Sequence, residues 1–118
     1  MTDEVEIIFP PAGRCGGHDP KYLEKQIAAA LRGRVAKAYT FGSFARGDLH
    51  FDSDIDLILV KETSEPFVRR AFEFLDLMDI YPDLDILVYT PAEFEHLTGR
   101  PSLGFWQDVV KDLRPLAL

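Results

Sequence analysis

The stretch FGSFARGDLHFDSDIDL, residues 41–57, carries the features that decide the fold of this chain. It joins a glycine–serine turn, Gly42 and Ser43, to two aspartates, Asp54 and Asp56, at the start of an apolar run. Residues i and i+2 of a strand point to the same face, so the two carboxylates are expected to project together, with Cα atoms about 6.5–7 Å apart. Such a pair is costly beside an apolar strand, and a divalent cation relieves both the repulsion and the desolvation.

Hydrophobic periodicity predicts the elements on either side of this stretch. Apolar runs at 35–41, 55–60 and 84–89 predict strands, with a further short strand at 5–9 and a turn at 42–48. Helices are expected from the Asp19–Pro20 start to Gly33, over 64–79, from the Thr90 capping box to Gly99, and over 105–113. The order (β)-α-β-turn-β-α-β-α-α predicts an α/β (α+β) domain, a mixed sheet with helices packed on it, in a single unit spanning 1–118.

Composition narrows the class of protein. A chain of 118 residues with 47% hydrophobic and 28% charged residues is globular. The net charge of −7 argues against strong nucleic-acid binding, which usually requires a basic face. The one cysteine, Cys15, cannot form an internal disulfide, and no signal peptide or membrane span is apparent. These features favour a cytoplasmic protein without a membrane association.

Asp85 is the third candidate metal ligand, because it begins the strand 84–89 and a neighbouring strand can bring it beside Asp54 and Asp56. Three oxygen ligands suit Mg²⁺, and Mn²⁺ accepts similar ligands. Two such ions about 3.5–4 Å apart can clamp the attacking and leaving oxygens of an in-line displacement. Asp83 is a competing ligand but is expected in the turn after Pro82. The alternative for the aspartate pair is a solvated strand start or an ion pair with Arg46.

The glycine–serine turn is the candidate phosphate site. Gly42 permits close backbone approach, Ser43 adds a hydroxyl, and a short helix starting here would aim N–H groups at an anion. Arg46 has two readings: it can pair with a phosphate, or it can form a surface ion pair with Asp48 or Asp52. The combination of turn and carboxylates favours an enzyme that handles a nucleoside triphosphate.

These motifs together resemble the nucleotidyltransferase superfamily related to DNA polymerase β, and the small size resembles its minimal nucleotidyltransferases, the MNT group. The resemblance implies that Gly42 and Ser43 bind the β- and γ-phosphates and that Asp54 and Asp56 hold both metal ions. It implies that Asp85 binds the catalytic ion and helps to deprotonate the acceptor. The reaction implied is transfer of a nucleoside monophosphate, AMP from ATP, onto a hydroxyl with release of pyrophosphate.

The resemblance also implies a partner. Larger relatives append a second, helical domain that binds the acceptor or base, whereas this chain is expected to meet a small helical HEPN protein, a toxin RNase, as its antitoxin and to adenylylate it. Two alternatives stay open: an antitoxin that acts by contact alone, and a small-molecule enzyme that holds an antibiotic-like acceptor between the subunits of a homodimer. The apolar residues Phe105 and Trp106 can belong to the core or to such an interface.

Overall fold

A four-stranded mixed sheet lies at the centre of the computed structural model, which describes residues 19–47, 54–99 and 104–118. The elements in chain order are α1 (Pro20–Leu31), β1 (Lys37–Phe41), α2 (Gly42–Arg46), β2 (Ile55–Val60), α3 (Phe67–Arg70), a 3₁₀ helix (Ala71–Asp79), β3 (Leu84–Tyr89), α4 (Pro91–Gly99), α5 (Gly104–Asp112) and β4 (Arg114–Pro115). The predicted fold class is confirmed. The strand expected at 5–9 lies outside the described residues.

The sheet has the strand order β3-β2-β1-β4. β2 pairs in parallel with β3 and antiparallel with β1, and β4 pairs antiparallel with the other side of β1. β2 and β3 have the bounds that the sequence predicts, because each is a run of apolar residues interrupted only at its second position, by Asp56 or Asp85. The short β4 was not predicted, because a two-residue edge strand containing Pro115 leaves no periodic pattern.

Two helix starts follow the capping chemistry of the sequence. The Asp19 side chain accepts a hydrogen bond from the Lys21 N–H at 3.2 Å, with Pro20 at the first helical position of α1. At α4, the Glu93 N–H donates to Thr90 Oγ1 at 3.2 Å while the Thr90 N–H donates to Glu93 Oε1 at 2.9 Å. These reciprocal bonds form the predicted capping box and satisfy backbone donors that the first turn of a helix leaves unpaired.

Helices cover both faces of the sheet. The first, which we call the closed face, lies under α1 and the 3₁₀ helix, and its buried cluster includes Leu23, Ile27, Leu57, Phe74 and Leu77. The second, which we call the open face, lies under α4 and α5, and its smaller cluster consists of Phe41, Ile58, Trp106 and Val109 with partly buried neighbours. Trp106 therefore belongs to the core, and the Phe105 side chain lies outside the description. No helix among the described residues is long and apolar enough to cross a bilayer.

Three sequence expectations need correction. The helix predicted at 64–79 begins only at Phe67, because the ring of Pro66 disfavours helical angles at the preceding residue. It then continues as a 3₁₀ helix from Ala71, with non-helical angles at Phe74 (φ −113°, ψ 17°). The segment predicted as a turn at 42–48 begins as the short helix α2, and β1 begins at Lys37 rather than at residue 35.

Candidate active site

The register of β2 and β3 brings two of the predicted ligands together. Asp56 lies directly opposite Asp85 in the parallel pair, and the Ile55 N–H donates to the Asp83 carbonyl at 3.0 Å where the two strands begin. Neighbouring strands are about 4.8 Å apart, so two paired side chains on one face meet. Asp54 precedes β2 by one residue and shares the parity of Asp56. All three carboxylates therefore lie at one end of the sheet.

Charge and burial act together on Asp56. Burial raises its pKa first, and a hydrogen bond with Asp85 and the negative charges of Asp85 and Asp54 add to it, so that the pKa lies at about 6. A hydrogen bond between two carboxyl groups requires a proton on one of them. The negative charges of the carboxylates therefore repel one another, and a bound cation can relieve this repulsion as a proton does.

Gly42 fits against this cluster. Its φ of +75° lies in the region that favours glycine, and a Cβ built there would lie 2.7 Å from Asp56 Oδ2. Gly42 follows Phe41, which pairs with Asp56 across β1 and β2. The backbone of the glycine–serine segment therefore touches the carboxylate that the sequence assigns to metal binding, because no side chain separates them.

The donor set suits a hard divalent cation. The ligands are carboxylate oxygens, which Mg²⁺ and Mn²⁺ prefer, and the anionic cluster would repel a triphosphate unless cations neutralised both. In the three described stretches, no group of three His, Cys, Asp or Glu side chains is arranged to hold a metal, so the carboxylates would have to move closer together to bind one. Asp54 and Asp85 are exposed, so both carboxylates can turn towards an ion without disturbing the core.

Asp85 and Asp83 were competitors for the third ligand position. Asp85 shares the hydrogen bond with Asp56 and contributes to its raised pKa. Asp83 lies before β3, and what it supplies to β2 is its backbone carbonyl. The geometry thus favours Asp85. Ser43 lies in α2 next to Gly42, but its side chain is outside the description.

Arg46 lies at the end of α2, where its Nη1 is 2.7 Å from Asp112 Oδ2 of α5. The two acidic partners that the sequence suggested, Asp48 and Asp52, lie outside the described residues, as does His50. Sequence reasoning missed Asp112 because 66 residues separate the pair and no local pattern links them. This ion pair fixes α2 against α5, and the phosphate role of Arg46 stays a prediction.

Comparison of the sequence with known proteins identifies a family that it matches. The family model described as polymerase beta, nucleotidyltransferase, matches residues 25–112. A candidate protein adenylyltransferase of Methanocaldococcus jannaschii is 36% identical over 70 residues, which cover 58% of this chain and 69% of the relative. A second one from the same organism is 38% identical over 48 residues, which cover 41% of this chain and 48% of the relative.

A solved structure described as a toxin–antitoxin with AMP-PNP has the same fold. It superposes with a TM-score of 0.52 at 24% identity, covering 80% of this chain and 72% of the other. At this identity the likeness concerns the fold alone. The family model, in contrast, matches well over half of the chain, including both strands that carry the carboxylates. The chain therefore belongs to the polymerase beta nucleotidyltransferase family of enzymes.

Proposed function

We propose that this chain is a Mg²⁺-dependent protein adenylyltransferase that transfers AMP from ATP to a hydroxyl of a partner protein and releases pyrophosphate. One observation carries the proposal: Asp56 and Asp85 lie opposite each other on parallel strands and share a hydrogen bond, and Gly42 lies against Asp56. An anionic cluster beside a glycine–serine segment is suited to hold cations on one side and phosphates on the other.

Each residue has a distinct role in this proposal. Asp54, Asp56 and Asp85 would hold the divalent ions, two in number, with Mn²⁺ able to replace Mg²⁺. When bound, these ions would neutralise the phosphate oxygens and make the α-phosphorus more electrophilic. Gly42 and Ser43 would contact the β- and γ-phosphates, while Arg46 would supply charge near them. The protein contributes positioning and electrostatics rather than covalent chemistry.

The reaction balances as a single displacement. The acceptor hydroxyl oxygen forms a bond to the α-phosphorus, and the bond from that phosphorus to the oxygen bridging to the β-phosphate breaks. Pyrophosphate leaves with the electron pair of that bond. The hydroxyl proton passes to the Asp85 carboxylate, which is exposed and can release the proton to water.

The partner we propose is a small helical HEPN-type toxin, with this chain as its cytoplasmic antitoxin. Two comparisons support a protein acceptor: the relatives bear the name of candidate protein adenylyltransferases, and the neighbour of similar fold is described as a toxin–antitoxin with AMP-PNP. An antitoxin that acts by contact alone would leave its partner unmodified, so the chemical fate of the partner separates the two mechanisms.

The test is intact mass spectrometry of this chain with a co-expressed partner, before and after incubation with Mg²⁺ and ATP. We expect the partner to gain the mass of AMP, and we expect Asp56→Asn and Asp85→Asn to lower the rate by about a hundredfold or more. Asp83→Asn is the matched control, because it removes a neighbouring carboxylate outside the shared hydrogen bond and should keep activity within about threefold. Chelation of the metal should abolish labelling.

Two results would contradict the proposal. A bound partner that gains no mass, and that is neutralised equally by Asp56→Asn, would favour the contact mechanism. Labelling of the partner that survives both substitutions would show that the three carboxylates do not form the catalytic site.

A further inference from the structure

β3 is the last strand of the described sheet on its side, and its hydrogen bonding follows a strict alternation. The Ile55 N–H donates to the Asp83 carbonyl and the Lys61 N–H donates to the Tyr89 carbonyl. In a parallel pair, successive bonds to one strand use every second residue, so the odd-numbered residues of β3 face β2. The N–H and C=O groups of Leu84, Ile86 and Val88 therefore point away from β2.

One of these outward groups already has a partner. Arg70 Nη1 donates to the Val88 carbonyl at 3.2 Å while its guanidinium also pairs with Glu93. This contact blocks the end of the edge that is farther from the carboxylates. Within 19–47, 54–99 and 104–118, no strand pairs with β3 on this side, and the Leu84 and Ile86 groups lie at the end that holds Asp85. An unpaired edge is a template for another extended chain.

An apolar surface runs beside this edge. Because the helix 71–79 is interrupted by non-helical angles at Phe74, the burial of each side chain shows which residues face the core. Phe74 and Leu77 are buried in the core, and Asp76 pairs at 2.9 Å with Arg34, which follows the end of α1. Phe72 and Leu75, which we call the ridge, are exposed at 63% and 49%, and the helix that carries them packs against β3.

We propose that the outer edge of β3 binds an extended segment of the acceptor polypeptide as an added strand, through the outward backbone groups of Leu84 and Ile86. The inference rests on the proposed function, since it assigns the docking site of the protein acceptor. Alternate side chains of the added strand would pack on the ridge of Phe72 and Leu75. Backbone pairing would supply affinity, and the ridge would supply selectivity.

The chemistry explains why the occupant is the acceptor. A strand paired with β3 has a residue about 4.8 Å from Asp85 and on the same face of the sheet. A tyrosine, serine or threonine at that register has its hydroxyl beside the carboxylate that takes its proton, while its oxygen bonds to the α-phosphorus and pyrophosphate leaves. The edge thus leads directly to the proposed catalytic centre. A bound strand without a hydroxyl group at this position would have no atom to accept AMP.

The experiment compares Ile86→Pro with Ile86→Ala. Both substitutions remove the same side chain, but only proline removes the outward N–H, and the bonds of the odd-numbered residues to β2 stay intact in both. The acceptor is a mixture of short synthetic peptides with a central tyrosine, serine or threonine and random flanks, and labelling from ATP is measured with Mg²⁺. We expect proline to raise the peptide KM about five- to tenfold over alanine, with kcat and AMP-PNP binding within about twofold.

Hydrogen exchange of the Ile86 amide gives a second readout that needs no turnover. In the 118-residue chain we expect this amide to exchange faster than that of Leu87, which faces β2, and to become protected when a peptide that accepts AMP is added. Protection of Ile86 before any peptide is added would overturn the proposal, because another part of the chain or a second copy would then cover the edge.

The remaining outcomes separate the two proposals. Labelling of a folded partner, but of no peptide, would overturn the edge-docking proposal and leave the adenylyltransferase in place. Equal KM values for the proline and alanine variants would overturn it as well. Absence of labelling on any acceptor, together with absence of AMP-PNP binding in the parent chain, would count against the proposed function itself.

Discussion

The two faces of the sheet differ in how completely they exclude water. On the closed face, Leu23, Ile27, Phe74 and Leu77 expose 1% or less of their surface. On the open face, Trp106 and Val109 are buried, but Tyr39, Leu87 and Tyr89 are only partly so. The side chains of Asp56 and Asp85 belong to the open face, because they share the parity of its residues Ile58 and Leu87.

The comparison teaches that the side chains that stabilise the core and those of the candidate site lie on opposite faces of the same strands. On the open face, Asp56 of β2 belongs to the charged cluster at one end of the sheet, whereas Ile55, Leu57 and Leu59 on the other face of β2 are wholly buried. The apolar face can therefore offset the cost of placing like charges at the same strand. Functional sites commonly retain such local strain when the rest of the core is well packed.

The largest effect should come from the closed face. Phe74→Ala removes a fully buried ring, and we expect it to lower the free energy of unfolding by about 3–5 kcal/mol. Phe72→Ala is the matched control, because the same residue type two positions earlier is 63% exposed and should cost less than about 1 kcal/mol. Urea unfolding followed by circular dichroism measures both. Equal losses would mean that burial in the closed face does not decide what Phe74 contributes to stability.

The second effect tests the contact between the glycine–serine segment and the carboxylates. Gly42→Ala places a Cβ 2.7 Å from Asp56 Oδ2 at a φ of +75°, so we expect a loss of about 2–3 kcal/mol and no AMP transfer. Gly33→Ala has a similar φ of +81° but no atom within 4 Å of the added Cβ, and should cost about 1 kcal/mol with activity kept. If both variants stayed active, close approach at Gly42 would not matter for catalysis.

The third effect concerns the charge of the open face. The pKa of Asp56 is raised from 3.8 to about 6, so between these values the folded, metal-free protein binds more protons than the unfolded chain. Its free energy of unfolding should therefore fall as the pH rises from about 4 to 6, by about 1 kcal/mol once screening by solvent at this half-exposed group is allowed for. Thermal unfolding across this pH range measures the slope.

Two controls sharpen the pH experiment. Asp56→Asn cannot ionise, so it should remove this slope and stabilise the metal-free protein at neutral pH by the same amount, although we expect it to lower the rate of AMP transfer by about a hundredfold or more. Mg²⁺ should raise the melting temperature of the parent chain but not that of Asp56→Asn. A slope that persists in Asp56→Asn would assign the pH dependence to other groups.

The smallest effect returns to the closed face. Thr40 of β1 is fully buried, and its Oγ1 has no hydrogen-bond partner among the described residues. Thr40→Val replaces this hydroxyl with a methyl group, and we expect a gain of about 0.5–1 kcal/mol in the free energy of unfolding. Thr98→Val is the control, since its hydroxyl donates to the Phe94 carbonyl at 2.7 Å and its removal should bring no gain. A loss at Thr40 would reveal a hidden partner.

Features set by neighbouring residues were predictable from the sequence. The Asp19 cap, the Thr90–Glu93 capping box and the bounds of β2 and β3 depend on residues a few positions apart. The pairing of Asp54 with Asp56 on one face follows from strand geometry alone. Where local rules competed, as at Pro66 and in the 3₁₀ helix, the spacing of apolar residues did not reveal which helix type would form.

The sequence alone thus predicted the candidate metal-binding and phosphate-binding residues, because residue chemistry and strand alternation are local properties. Only the tertiary structure decided that Asp85 rather than Asp83 meets Asp56, since the register of a parallel pair depends on how two distant strands pack. The same holds for the ion pair of Arg46 with Asp112 and for the raised pKa of Asp56. These depend on distance and burial, which arise when the chain folds and brings separated residues together.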